Sequence, residues 1–463
     1  MTVTEKLNGY GPLAGIKVVE MCTYVAAPAT VRVLSEMGAE VLKIESFDGD
    51  IQRTQGPGFG CDLTDTEDPT IDLNNTNKNW ISLNLKSEEG LAIAKKMIGE
   101  ADIFMNNMRT AALEKLGLDY PTLSAEFPGL IWAQMRGYGE FGEFAHSPGY
   151  DAVCWAARGG VAGTFCEKGT SPAIPPQAFG DYNTATMMAA GILGALVNKL
   201  RTGRGDKVVV NLYHSAIWGG SIAVCAQQFG ADYPKTRKDV PNPFNNTYKT
   251  ADDKWIYICQ PQHNRYYNDM MKIIGRDDLI DDPRYATVEN LKEKHLQPEL
   301  IEILEGGFVQ KTLDEWLPIL AEWQVPSQKV FRYTDIVKDE EAYVNDAIRK
   351  VNYQAFGERA LPTTPIRYAN FGDPPVVLSK PIGYHTAEYL HKYGYTDEQI
   401  AEMEAAGAVK CYHGEEVPGR HLQVRAPARR RGSLQLVDLR PPKEPQRIAA
   451  VLFFCAGLRR RFG

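Results

Sequence analysis

At 463 residues, with 44% hydrophobic and 24% charged content, the chain is long enough for several packed layers and, by length, for two or three domains. No window approaches the ~20 apolar residues of a membrane span. The start MTVTEKLNGYGPLAG lacks the basic opening and apolar stretch of a secretory signal, so a cytoplasmic protein is expected. The net charge of −7 hides a split: from Arg420 onward ten Arg and one Lys face two acidic residues, which leaves −16 for the body and argues against a general nucleic-acid surface.

The first segment has the plainest pattern. IKVVEM predicts a buried strand, PATVRVLSEMG a helix closed by Gly38, and AEVLKIE a second strand. WISLNLK alternates Ile81, Leu83 and Leu85 with Ser82, Asn84 and Lys86, which predicts a half-exposed strand. SEEGLAIAKKMIGEA reads as an amphipathic helix opened by Ser87 and Glu88, and DIFMNN and LIWAQMRGYG as further strands. This alternation predicts an α/β fold, a parallel sheet covered by helices over residues 10–225, with ligands at the carboxyl ends of its strands. After TGRGDKVVVNLYHSA the pattern changes, and turn-rich strands followed by helices such as LQPELIEILEGGF and TLDEWLPILAEW predict a smaller α+β domain over 226–330. Residues 331–410 are compatible with a return to the large domain, though the pattern leaves that open. The Arg-rich, Pro-rich segment 411–463 reads either as a basic arm or, the preferred reading, as a disordered or non-native extension.

Eight scattered cysteines, with no C-x-x-C pair and no His at ligand spacing, suggest reduced and mostly buried thiols, and neither a disulfide framework nor a metal site. GYGEFG (137–142) matches G-x-G-x-x-G, but EFAHSPGYD follows where a dinucleotide fingerprint needs a helix. Walker A and G-x-S-x-G motifs are absent, and His146, His214 and His263 are assigned no catalytic role. Asp181, in GDYNTATMMAAG, is a natural N-cap for the apolar run that follows, accepting from the Asn183 or Thr184 amide. A helix terminus favours an ionised carboxylate, and an ionised carboxylate is a competent nucleophile toward an activated acyl group, so cap and nucleophile are compatible roles. Lys86, Arg109, Lys115 and Arg136 follow or end successive strands, and a parallel sheet places them along one edge, where they suit a polyphosphate.

Those residues, with PLAGIKVVEMCTYVAAPATVRVLSEMGAEVLKIES, ISLNLKSEEG, ADIFMNNMRTAALEKLGLDY and KLRTGRGDKVVVNLYHSA, resemble the family III CoA-transferases from about Pro12 to Val409. By overall similarity the chain stands nearest the (R)-2-hydroxyacyl CoA-transferases of amino-acid fermentation, the phenyllactate and 2-hydroxyisocaproate kind. The resemblance implies a Rossmann-like large domain, a small domain, and a homodimer of two interlocked chains. It makes Asp181 the nucleophile, acyl-CoA and a carboxylic acid the substrates, and leaves no permanently bound cofactor. Val25, Ala26, Leu83, Asn84, Leu85, Lys86, Asn107, Met108, Arg109, Lys115, Arg136, Gly137 and Tyr138 are its implied CoA contacts. Formyl-CoA transferases carry a glycine-rich loop where this chain has YICQPQHN, a stiffer and bulkier stretch. The α-methylacyl-CoA racemases share the fold but carry His where this chain has Tyr150, a poor base at an ordinary pKa of ~10. Racemisation, formyl-CoA:oxalate exchange and a non-catalytic CoA-binding scaffold are the weaker alternatives.

Overall fold

The computed structural model describes residues 9–414. Six parallel strands form the centre: β1 (Lys17–Met21), β2 (Glu40–Glu45), β3 (Lys78–Leu83), β4 (Ile103–Asn106), β5 (Ile131–Arg136) and β6 (Lys207–Asn211). They lie in the order β3-β2-β1-β4-β5-β6. Consecutive strand residues point to opposite faces. Val18, Ile103, Ile131 and Ala133 therefore enter one apolar core, and Val19, Phe104 and Trp132 enter another. Helices cover both, as a parallel sheet requires.

The first core holds α1 (Ala26–Glu36), every residue of which is buried. Even its charged residues are enclosed: Arg32 pairs with Glu36 at 2.7 Å and donates to the carbonyls of Leu73 and Pro362. On the other face lies α2 (Glu88–Gly99), whose N-cap Ser87 accepts from the Gly90 amide at 3.1 Å. A short helix, α3 (Thr110–Leu116), follows β4. The long α4 (Phe179–Thr202) packs on the first face beside α1, and α5 (Leu212–Gly219) and α6 (Ser221–Gln227) follow β6.

A separate apolar core around Phe244, Tyr248, Phe308 and Trp316 holds a three-stranded antiparallel sheet, β7 (Asn245–Lys249), β8 (Trp255–Cys259) and β9 (Ser327–Lys329). His263 belongs to this core, stacked on Phe244 at 4.2 Å with Nε2 at 2.8 Å from the Tyr285 carbonyl. The hairpin β10 (Ile348–Tyr353) and β11 (Gly357–Pro362) comes next, followed by β12 (Val409–Lys410), which pairs antiparallel with β3.

That pairing corrects two expectations. The seven-stranded sheet is parallel except at this edge, and β3 is buried at all six positions instead of half-exposed. The returning chain covers it: the Trp80 amide donates to His385 Nδ1 and the Ser82 amide to Thr386 Oγ1, both at 3.0 Å. Of the seven described cysteines, only Cys22, Cys154 and Cys411 are buried, so the thiols are not mostly in the core. Among the described residues no helix is long and apolar enough to cross a membrane. The basic tail lies outside them beyond residue 414.

Candidate active site

The strand order reverses between β1 and β4, and the segments leaving these two strands open a crevice at the carboxyl edge of the sheet. Asn107 ties its lips together, accepting from the Thr23 amide at 3.1 Å and donating to the Thr23 carbonyl at 2.8 Å. Two cavities meet there, sharing Thr23 and Met108. One, of about 460 Å³, lies toward β2 and β3 and is lined by Phe47, Asp50, Leu83, Asn84, Leu85 and Lys86. The other, of about 560 Å³, lies toward β4 and β5 and is lined by Asn107, Arg109, Arg136, Gly137, Tyr138 and Tyr150.

Ten of the thirteen expected CoA-contact residues thus line one continuous groove, and three do not. Val25 and Ala26 are buried at the start of α1, and the residues before them, Thr23 and Tyr24, face the groove instead. Lys115 is exposed in the last turn of α3, outside both cavities. Among the described residues Lys86 and Arg109 form no ion pair. Arg136 donates only to neutral acceptors, Thr110 Oγ1 (2.8 Å), Gln134 Oε1 (3.1 Å) and the Ala145 carbonyl (2.6 Å). Three cations without counter-ions along one groove make an anion-binding surface.

Asp181 is not an N-cap. Ala178, in the left-handed conformation (φ 60°), caps α4 three residues earlier than expected, and Asp181 lies in the first turn. Its neighbour Gly180 is needed for close packing: a Cβ there would fall 2.2 Å from the Trp155 ring and 2.3 Å from Asp151 Oδ1. Trp155 is carried by a π-helical stretch, Ala152–Arg158, that opens at Asp151. The Asp151 carboxylate faces the Gly180 and Asp181 amides, yet its Oδ1 is buried without a hydrogen-bond partner of good geometry. Burial raises the Asp151 pKa, and those amides only partly offset it.

The Asp181 carboxyl has no hydrogen-bond or ion-pair partner among the described residues. Burial, and then the Asp151 charge, push its carboxyl up to about 7. The helix terminus is expected to favour its ionised form, whereas burial and the Asp151 charge both act the other way and the Gly180 and Asp181 amides face Asp151. Asp151 escaped the sequence reading, although it directly follows Tyr150, the residue weighed there. Tyr150 lines the groove, and Asp151, the next residue, lies against the start of α4, but Asp181 itself lines neither cavity.

Residues 13–386 match the model of CoA-transferase family III. The chain belongs to that family. It is 42% identical over 400 residues to the cinnamoyl-CoA:phenyllactate CoA-transferase of Clostridium sporogenes, covering 86% of this chain and 97% of that one. It is 38% identical over 398 residues to the (R)-2-hydroxy-4-methylpentanoate CoA-transferase of Clostridioides difficile, covering 86% and 99%. The crystal structure of a CAIB/BAIF family protein from Brucella suis superposes with a TM-score of 0.68 at 26% identity, over 83% of this chain and 99% of that one.

In this family III enzyme Tyr150 is 57% exposed at the end of the groove, its ring edge-on to Tyr24 with centroids 5.2 Å apart. No residue of 258–264 lines either groove cavity. Within that stretch Gln260 is buried, its carbonyl accepting from Asn242 at 3.0 Å and its Oε1 from the Gln262 amide at 3.2 Å.

Proposed function

We propose that the enzyme moves CoA from an acyl-CoA to an (R)-2-hydroxy acid with an aromatic or branched side chain, an acid of the kind formed in amino-acid fermentation, with Asp181 as the nucleophile. The observation that carries this reading is a groove whose cations lack counter-ions, together with the partner-free Asp181 carboxyl in the first turn of α4, which packs against Asp151, the residue after the groove-lining Tyr150. The named activities of the two relatives given above supply the substrate class.

In the reaction, an Asp181 oxygen attacks the thioester carbonyl, the C–S bond breaks and CoA leaves as the thiolate, giving an aspartyl-acyl anhydride. The thiolate attacks the aspartyl carbonyl, releasing the donor's carboxylate and forming an aspartyl-CoA thioester. The incoming carboxylate attacks that thioester and expels the thiolate, which then attacks the new acyl carbonyl, releasing the product thioester and the Asp181 carboxylate. Every bond broken is matched by one formed, and no redox partner is required. Lys86, Arg109 and Arg136 hold the phosphates of CoA, while Leu83 to Leu85, Asn107, Met108, Gly137 and Tyr138 line the path of pantetheine.

The working form is an interlocked homodimer. The outer face of α4 exposes Met187, Val197 and Leu200, and beside it Trp218, Ile222 and Phe229 are each at least 65% exposed. So much uncovered apolar surface on the helix bearing the nucleophile fits burial by a second copy. The separate core of 226–330 supports a small domain, the β3–β12 pairing supports a return of 331–410 to the large one, and the free thiols fit a reducing cytoplasm.

The test is Asp181→Ala and Asp181→Asn with cinnamoyl-CoA as donor and (R)-phenyllactate as acceptor. Exchange falls by roughly 10³-fold or more, since residues acting as a covalent unit lose nearly all catalysis together. Hydroxylamine or borohydride trapping followed by mass spectrometry labels Asp181 in the unaltered enzyme only. Exchange close to normal in either variant overturns the assignment.

A further inference from the structure

The backbone of Tyr24 is in the left-handed region, with φ 66°. L side chains seldom adopt it, and a residue held there is strained. Of the non-glycine residues with positive φ among the described residues, Tyr24 alone lines the groove.

Its surroundings hold the turn from several sides. Asp50 Oδ1 accepts from the Tyr24 amide at 2.9 Å, Lys43 Nζ donates to the Cys22 carbonyl at 2.8 Å, and Asn107 takes both backbone groups of Thr23. Beyond the turn, Lys78 Nζ donates to the Pro28 carbonyl at 2.9 Å. Glycine at position 24 would make the same turn without strain. A strained tyrosine kept in place by so many bonds has a use for its ring.

The ring faces Tyr150, the residue before Asp151, and the two rings meet at 73° in the groove wall, while Asp151 lies against the start of the helix that carries Asp181. Edge-to-face rings present an apolar surface with polar hydroxyl tips, which suits another aromatic or branched group and offers nothing to a short unbranched one. We propose that Tyr24 is a specificity-determining residue: with Tyr150 it forms the wall that selects the side chain of the incoming acid. This assignment rests on the reading that Asp181 passes CoA to a carboxylic acid.

The experiment is Tyr24→Gly, read by the ratio of kcat/KM for (R)-phenyllactate over (R)-lactate with one acyl-CoA donor, together with thermal unfolding. The variant unfolds no lower than the unaltered enzyme and loses about tenfold of its preference for the aromatic acid. Tyr24→Phe keeps that preference. An unchanged ratio in Tyr24→Gly overturns the assignment, and so does an equal loss for both acids with a lowered unfolding temperature, which marks a merely structural ring. If the unaltered enzyme transfers CoA to no acid, the reading of the reaction fails separately. The Tyr24 assignment is then decided by calorimetric binding of the two acids to the unaltered and Tyr24→Gly proteins, where equal ratios overturn it.

Discussion

Glu20, Lys43, Asp50 and Lys78 are wholly buried beneath the β1 turn, two charges of each sign, while Asp151 and Asp181 stand near the same sheet edge as two carboxyls with no cation beside them. Lys43 uses all three ammonium hydrogens, on Glu20 (2.9 Å), Cys22 (2.8 Å) and Asp50 (3.0 Å). Lys78 lies 2.7 Å from Glu20 Oε2, a close ion pair of poor hydrogen-bond geometry, and also bonds Pro28 and Asn75. Burial pulls the Lys43 pKa down, but Glu20 and Asp50 outweigh it and hold the ammonium above its usual range. Lys78 has one carboxylate where Lys43 has two, and burial takes it down to about 8. Asp181 has none of this compensation. The chain neutralises the charges that support the groove and leaves the carboxyl proposed as nucleophile without a cation, the kind of imbalance that functional sites keep.

The sharpest way to break the contrast is Lys43→Met, which leaves buried Asp50 without a cation and Glu20 with Lys78 alone, and costs about 3–5 kcal/mol, measured by denaturant unfolding. A change near zero would mean that the cluster is not sealed from water. Arg136→Met removes no ion pair but three hydrogen bonds, so it costs less than Lys43→Met, about 1–3 kcal/mol. It raises KM for acyl-CoA about 10- to 100-fold, as loss of a charged hydrogen bond does, and the loss shrinks as salt is added. Asp181→Asn has the opposite sign in stability. A carboxyl whose folded pKa lies near 7, above its unfolded value, binds more protons when folded, so stability falls as pH rises from about 4 to 7. Removing it gains about 2 kcal/mol at pH 8 and nothing at pH 4, half of what the whole pKa displacement amounts to, because water reaches part of the carboxylate.

The parallel order of the sheet and the groove at the carboxyl edge of its strands were legible because they depend on local period and on residues adjacent in sequence. What was missed depends on contacts that local pattern does not carry. β3 looks half-exposed in isolation and is enclosed by Thr386, 304 residues along the chain. Asp181 looks like a cap because the left-handed turn at Ala178 cannot be read from an alanine. Val25 and Ala26 follow a strand as ligand-binding residues do, but α1 is packed on every side, and the exposed positions are the two before it. Asp151 acquires its role only when the π-helical stretch lays it against the start of α4.

The finest division of the contrast lies within the Asp181 environment, where two causes raise one pKa: burial first, and the Asp151 charge second. Attack needs the carboxylate, so kcat/KM of the unaltered enzyme rises through pH 7 as Asp181 loses its proton. Asp151→Asn leaves an oxygen to face the Gly180 and Asp181 amides but removes the charge. The inflection therefore moves to lower pH without reaching the ordinary carboxylate range, since burial persists. An inflection that stays in place assigns the whole effect to burial and removes Asp151 from the electrostatics of the site. A profile flat from pH 5 to 8 would instead mean that the ionisation of Asp181 does not govern the rate, and the unbalanced carboxyl would lose its functional meaning.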